Sequence, residues 1–165
     1  MLRVLFEQPG ASVSEIALRT RMPMVVASQY LRVLGARGLI NARREGRYVC
    51  YRPVADPAVG GAASLLEAVG SALASGPDAV EMSFCQLTAF THPRRILIAR
   101  ALAAGPLTKD ALMSRTRINR FAIYRHLQKL ARRGVVAETA DTWRVLRPRG
   151  RLATVLLRLA CELHR

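Results

Sequence analysis

The sequence predicts a mainly α-helical chain with small β-hairpins, built as two copies of one small unit. The first observation is a repeat. The stretch "RTRMPMVVASQYLRVLGARGLI" returns 96 positions later as "RTRINRFAIYRHLQKLARRGVV". Arg19-Thr20-Arg21 falls on Arg115-Thr116-Arg117, Leu31 and Leu34 on Leu127 and Leu130, and Arg37-Gly38 on Arg133-Gly134. One offset that holds glycines, arginines and apolar positions together indicates a duplicated domain, and two copies are too few for a solenoid. The second observation is apolar spacing of three to four residues in successive stretches of each copy, the period of a helix. The third is an alternating run after those stretches, broken by a turn signal, as in a pair of strands.

The elements follow in order. "LRVLFEQPG" and "PRRILIARALAAGP" read as amphipathic helices stopped by Gly and Pro, the second started by His92-Pro93. "SVSEIALRT" and "TKDALMSRT" are short helices with Ser12 and Thr108 as N-caps. A third helix buries Val26, Ala27, Tyr30, Leu31 and Leu34 in copy one, and Ala122, Ile123, Leu127 and Leu130 in copy two. Gly38 and Gly134 close these helices. "LINARREGRYVCYRP" is a hairpin with Glu45-Gly46 at its turn, and "VVAETADTWRVLRP" is its counterpart, one residue shorter, with Ala140-Asp141 at the turn. Both hairpins end on Arg-Pro, at Arg52-Pro53 and Arg147-Pro148, and Trp143 packs the second.

Between the copies, Leu65, Leu66, Val69 and Leu73 recur at helical spacing and predict a helix over 62–75, with "EMSFCQLTAF" as a further helix. The last stretch is amphipathic, with Leu152, Val155, Leu156, Leu159 and Leu163 on one stripe. The expected organisation is a first unit over 1–54, connecting and association helices over 55–90, and a second unit with a C-terminal association helix over 91–165.

Three helices followed by a hairpin make a winged helix-turn-helix, so the full expectation is a mainly α chain with small β-hairpin wings, a tandem winged helix-turn-helix. The helix-ending Gly, the Ser/Thr-led short helix, the "HLQKL" third helix and the Arg-rich wing resemble the DNA-binding core of ArsR-type bacterial repressors over about two-thirds of the chain. The resemblance implies a repressor that occludes a promoter and a homodimer formed through the flanking helices. Copy one starts almost at once and lacks a helix leading into it. The C-terminal stripe is expected to lie against the middle helix near Leu65–Leu73, with a second chain covering what copy one leaves bare.

Charge points the same way. There are 26 Lys and Arg against 11 Asp and Glu, a formal net charge of +15. That field favours a polyanion, with double-stranded DNA first. No window is apolar enough to span a membrane, and "MLRVLFEQPG" does not read as a signal peptide. Three scattered cysteines suit a reducing cytoplasm.

A third helix of this kind enters the major groove with its N-terminal half. In copy two that half offers Asn119, Arg120, Tyr124 and Arg125, with Lys129 further back and His126 towards the phosphates. Arg pairs with guanine and Asn with adenine, both bidentately. Copy one has Ser28 and Gln29 at the matching helix, but Pro23, Met24 and Val25 replace its polar lead. Its wing is the stronger one, with Arg43, Arg44 and Arg47 poised for phosphates, where copy two carries Glu138 and Asp141. The pair is therefore asymmetric. The alternative reading is a winged-helix module that docks proteins or shapes DNA without operator specificity.

No cofactor and no enzymatic activity are expected. His92, His126 and His164 and the acidic residues form no nucleophile–base cluster, and the phosphate-loop motif is absent. Cys161 and His164 are the metal candidates, at i, i+3, but two ligands do not close a tetrahedral site.

Overall fold

The computed structural model describes residues 1–162; Leu163 and His164 of the sequence reading lie outside the described residues. The chain divides into two compact units, Met1–Ala74 and Ser75–Arg165, so the connecting segment is shared between them. Unit one contains α1 (Leu2–Glu7), β1 (Ala11–Ser12), α2 (Val13–Thr20), α3 (Met24–Ala36), β2 (Asn41–Glu45), β3 (Tyr48–Arg52) and α4 (Ala62–Ala74). Unit two contains α5 (Pro77–Ala89), α6 (Pro93–Ala103), β4 (Leu107–Thr108), α7 (Lys109–Thr116), α8 (Arg120–Arg132), β5 (Val136–Thr139), β6 (Thr142–Val145) and α9 (Arg151–Glu162). The order from α1 to β3 is repeated from α6 to β6. The molecule is mainly helical, with one small antiparallel three-stranded sheet in each unit.

The repeated Arg-Thr-Arg now has a physical reason. It ends α2 and α7. Thr20 Oγ1 donates to Ile16 O at 2.7 Å, and Thr116 Oγ1 donates to Leu112 O at 2.6 Å. The next residue turns left-handed in both copies, Arg21 at φ 52° and Arg117 at φ 54°. The helix starts match as well. Ser12 and Glu15 form a reciprocal capping box, and Thr108 accepts from Ala111 N.

Each hairpin gains a third strand that the sequence reading lacks. The sheets run β1-β3-β2 and β4-β6-β5. The cause is the cap itself: Ser12 and Thr108 sit at ψ 165° and 164°, extended enough to pair before the helix begins. Ala11 lies opposite Tyr51, and Leu107 opposite Trp143. This register also corrects the hairpin lengths. Ala42 pairs with Tyr51 nine positions on, whereas Glu138 pairs with Trp143 only five positions on, so the second hairpin is four residues shorter beyond that pair. The two Arg-Pro ends are therefore not equivalent. The first turn is Gly46-Arg47, one residue later than expected, because Gly46 takes φ 62°. Ala140 and Asp141 form the second turn as expected.

Unit one is held by Val4, Leu5, Ala11, Ile16, Leu31 and Ile40. In α4, Gly70 lies against the Phe6 ring so closely that a Cβ there would come within 2.9 Å of it. A small residue at this position is what lets the two helices come so close. Unit two has a core twice as large, centred on Ile98, Leu112, Ile123, Leu127 and Trp143. Arg95 is buried in it and caps α5: its guanidinium donates to Ala89 O at 2.7 Å, Thr88 O at 2.8 Å and Thr91 Oγ1 at 2.7 Å.

The C-terminal stripe is covered within its own unit. Leu152, Val155, Leu156 and Leu159 are buried, and the elements packed on α9 in its own unit are α5 and α6. Arg100 of α6 reinforces this by donating to Ala160 O at 3.1 and 3.2 Å. Within unit one, the middle helix α4 packs on α1.

Gly38 and Gly134 separate two costs. Both have φ 66°. A Cβ at Gly38 would lie 2.8 Å from Val59, while at Gly134 it would meet nothing within 4 Å. Gly134→Ala is expected to cost about 1 kcal/mol, from backbone strain alone. Gly38→Ala should cost roughly 1–3 kcal/mol more, from the added clash. Urea unfolding monitored by circular dichroism measures both; equal costs would contradict the packing at Val59.

Candidate nucleic-acid interface

The basic charge is unevenly divided. Unit two has 17 Lys and Arg against 6 Asp and Glu, a formal +11; unit one has 9 against 5, a formal +4. Within unit two, α8 buries Ala122, Ile123, His126, Leu127 and Leu130 on one face. Its other face leaves Arg120, Tyr124, Arg125 and Lys129 exposed.

Asn119 is the N-cap of α8, and its Oδ1 accepts from Ala122 N at 2.9 Å. The oxygen needed for a bidentate adenine contact is thus engaged, and the NH2 group is what Asn119 can offer. Arg120 Nη2 lies 3.2 Å from Asp110 Oδ1, in a pair that is about three-quarters exposed at both ends. So exposed a pair is weak and readily exchanged for another anion.

His126 is corrected. It was expected to face phosphate, but it is 2% exposed. The reason is helical spacing: it follows Ile123 by three and Ala122 by four, so it shares their buried face. Its ring lies 4.5 Å from that of His92, whose Nδ1 caps α6 by accepting from Arg94 N. Burial, with His92, Arg125, Arg95 and Arg94 around it, lowers the His126 pKa to about 4. Neither ring nitrogen has a hydrogen-bond partner among the described residues. His126 is a neutral core residue.

The same spacing exposes a residue that the sequence reading missed. Phe121 is 89% exposed and lies three and four residues before Tyr124 and Arg125. An apolar ring at the start of such a helix can meet a thymine methyl. The signal was the face it shares with Tyr124 and Arg125.

In unit one, α3 carries Ser28, half-buried, and Gln29, exposed. Arg32, also missed, joins them and lines a shallow cavity of about 340 Å³ with Met24 and Val25. Tyr30, expected in the core, is exposed with Met24, Val25 and Val33. Beyond it, β2 is exposed throughout. Arg43 lies opposite Cys50 and Arg44 opposite Val49, so the two arginines point to opposite faces of the hairpin and cannot serve one surface together. Arg43 shares its face with the Arg52–Glu45 pair, 3.1 Å apart. Arg47 stands at the turn, its guanidinium 4.9 Å from the centre of the Tyr48 ring.

The acidic second hairpin is partly neutralised. Lys109 Nζ sits 2.8 Å from Glu138 Oε1, and that bond raises the lysine pKa. Asp141 stays exposed at the turn.

Cys161 is half-buried, and its suggested partner His164 lies outside the described residues. Among the described residues, no three His, Cys, Asp or Glu side chains are grouped to hold a metal. No helix among them is long and apolar enough to cross a membrane. Compared with known proteins, the chain matches no family model and no curated protein.

Proposed function

We propose that the chain is a sequence-specific double-stranded-DNA-binding transcriptional regulator, a repressor built as a tandem winged helix-turn-helix. The observation that carries this reading is the outer face of α8: Arg120, Phe121, Tyr124, Arg125 and Lys129 stand free of the core on one helix, in the unit with formal charge +11. Arginines there supply base contacts; Arg43 or Arg44 and Arg47 of the first hairpin supply phosphate contacts, which position without specifying. Such a regulator works in the cytoplasm, beside the DNA, and needs no catalytic step or cofactor.

Selection of bound duplexes from a random pool tests this reading, followed by affinity measurements on the selected site and on a scrambled one. Arg125→Ala is expected to lose roughly 1–3 kcal/mol on the selected site and little on the scrambled one. Arg43→Ala and Arg47→Ala should weaken both sites alike. The reverse pattern would exchange the roles of helix and hairpin.

A second reading rests on α3. Met24, Val25, Tyr30 and Val33 are each more than half exposed on that helix, apolar surface better suited to a protein than to base edges. Unit one would then dock a partner while unit two holds DNA. A homodimer through flanking helices would draw on α4 or on α5, where Met82 and Phe84 are exposed, because the α9 stripe is already buried.

A further inference from the structure

Unit two contains a cavity of about 610 Å³ between α5, the base of the second hairpin and α9. This is the size of a small-molecule site. Its floor is apolar: Phe90, Val135, Val145, Leu146 and Leu157 line it. Four arginines, Arg133, Arg144, Arg147 and Arg149, also line it. No Asp or Glu is among the lining residues. The ion pairs among the described residues use Arg3, Arg52, Lys109 and Arg120, and none of these four. One of the four is fixed in place: Arg133 Nε donates to Thr88 Oγ1 at 3.1 Å, and its Nη1 donates to Lys129 O at 3.2 Å.

We propose that this cavity binds a small amphipathic carboxylate, with its apolar body on the floor and its head among the guanidiniums. Arginines that take part in no ion pair among the described residues, beside a hydrophobic floor, are complementary to a ligand with both characters, and Arg meets carboxylate with paired N–H donors. A second copy of the chain fits less well, because its own net charge of +15 opposes these arginines. DNA is also a poor occupant. Arg133 lies about 20 Å along α8 from Arg120, at the end away from the face offered to bases. If the DNA reading holds, the site gains a regulatory meaning: Arg133 follows the last turn of α8 and Arg144 follows Trp143 in β6, so the ligand would touch the base of both elements. Ligand binding itself does not depend on that reading.

Calorimetric titration of the full chain with decanoate, without DNA, tests the proposal. Decanol and decyltrimethylammonium serve as neutral and cationic controls. Decanoate is expected to saturate one site, with both controls at least about tenfold weaker. The double variant Arg144→Gln with Arg147→Gln, both at exposed positions, should lose about tenfold in decanoate affinity and leave decanol unchanged. Absence of saturable decanoate binding would overturn the proposal. So would equal binding of decanol, or a double variant that binds decanoate as the parent does. Duplex affinity measured separately on the same preparations shows whether the DNA reading stands or falls by itself.

Discussion

Leu156→Asp unfolds the C-terminal unit. Leu156 is 8% exposed on α9, a helix that packs on α5 and α6. Removing the side chain forfeits roughly 2–5 kcal/mol, as for other large-to-small core changes. A carboxyl in its place must also be buried without a partner or neutralised, at a further cost of roughly 1–3 kcal/mol. Net stabilities are typically about 5–15 kcal/mol, and a small unit lies near the lower end, so the sum is enough to unfold it. Trp143, the one tryptophan, is buried in the core of this unit, and its fluorescence reports the loss directly. The expected result is a Trp143 spectrum already that of exposed tryptophan in the absence of urea. If Trp143 unfolds normally while sedimentation shows a dimer split into monomers, the stripe belongs to an interface between chains.

Acidification weakens the same unit through His126. The folded pKa is about 4, against an ordinary value of 6.5. Between those values the unfolded chain takes up a proton that the folded chain refuses, so stability rises with pH across the window. The contribution is fully present above about 6.5 and is lost as pH falls towards 4. The loss is on the order of 3 kcal/mol. His92, Arg94, Arg95 and Arg125 sharpen the effect by opposing a positive charge on the ring. His126→Phe should remove this part of the pH dependence. It should cost little at neutral pH, because the ring nitrogens make no hydrogen bond among the described residues. Urea unfolding of both proteins at several pH values, followed by Trp143 fluorescence, measures it. Equal pH slopes would contradict the assignment.

The helices were legible in the sequence because their signals are local and repeated. Ser12 and Thr108 cap, Gly38 and Gly134 stop, and apolar residues recur at helical spacing between them. The third strands were not legible, since two residues such as Ala11-Ser12 have no period and pair only because a cap is extended. The partner of α9 was not legible either: a stripe says that a face is buried, not against what. The candidate interface was half legible. Arg125 and Lys129 could be placed from sequence, but His126 was set on the wrong face and Phe121 was passed over, although the spacing that links each to its neighbours places both. The opposite directions of Arg43 and Arg44 were implicit in strand alternation and emerge once the register is known. The engagement of Asn119 as a cap is local and could have been read from its place before the helix.

If the chain holds duplex DNA through its basic surface, as proposed, binding must weaken steeply with salt. Fluorescence anisotropy of a labelled duplex, titrated with the full chain at a series of salt concentrations, yields the slope of log affinity against log salt. Each neutralised phosphate contributes about −0.9, so about six contacts from α8 and the first hairpin give a slope near −5. A fall that steep is the expected result. A flat dependence, or no duplex binding at low salt, would contradict it and leave the exposed apolar residues of α3 as the better guide to what this protein binds.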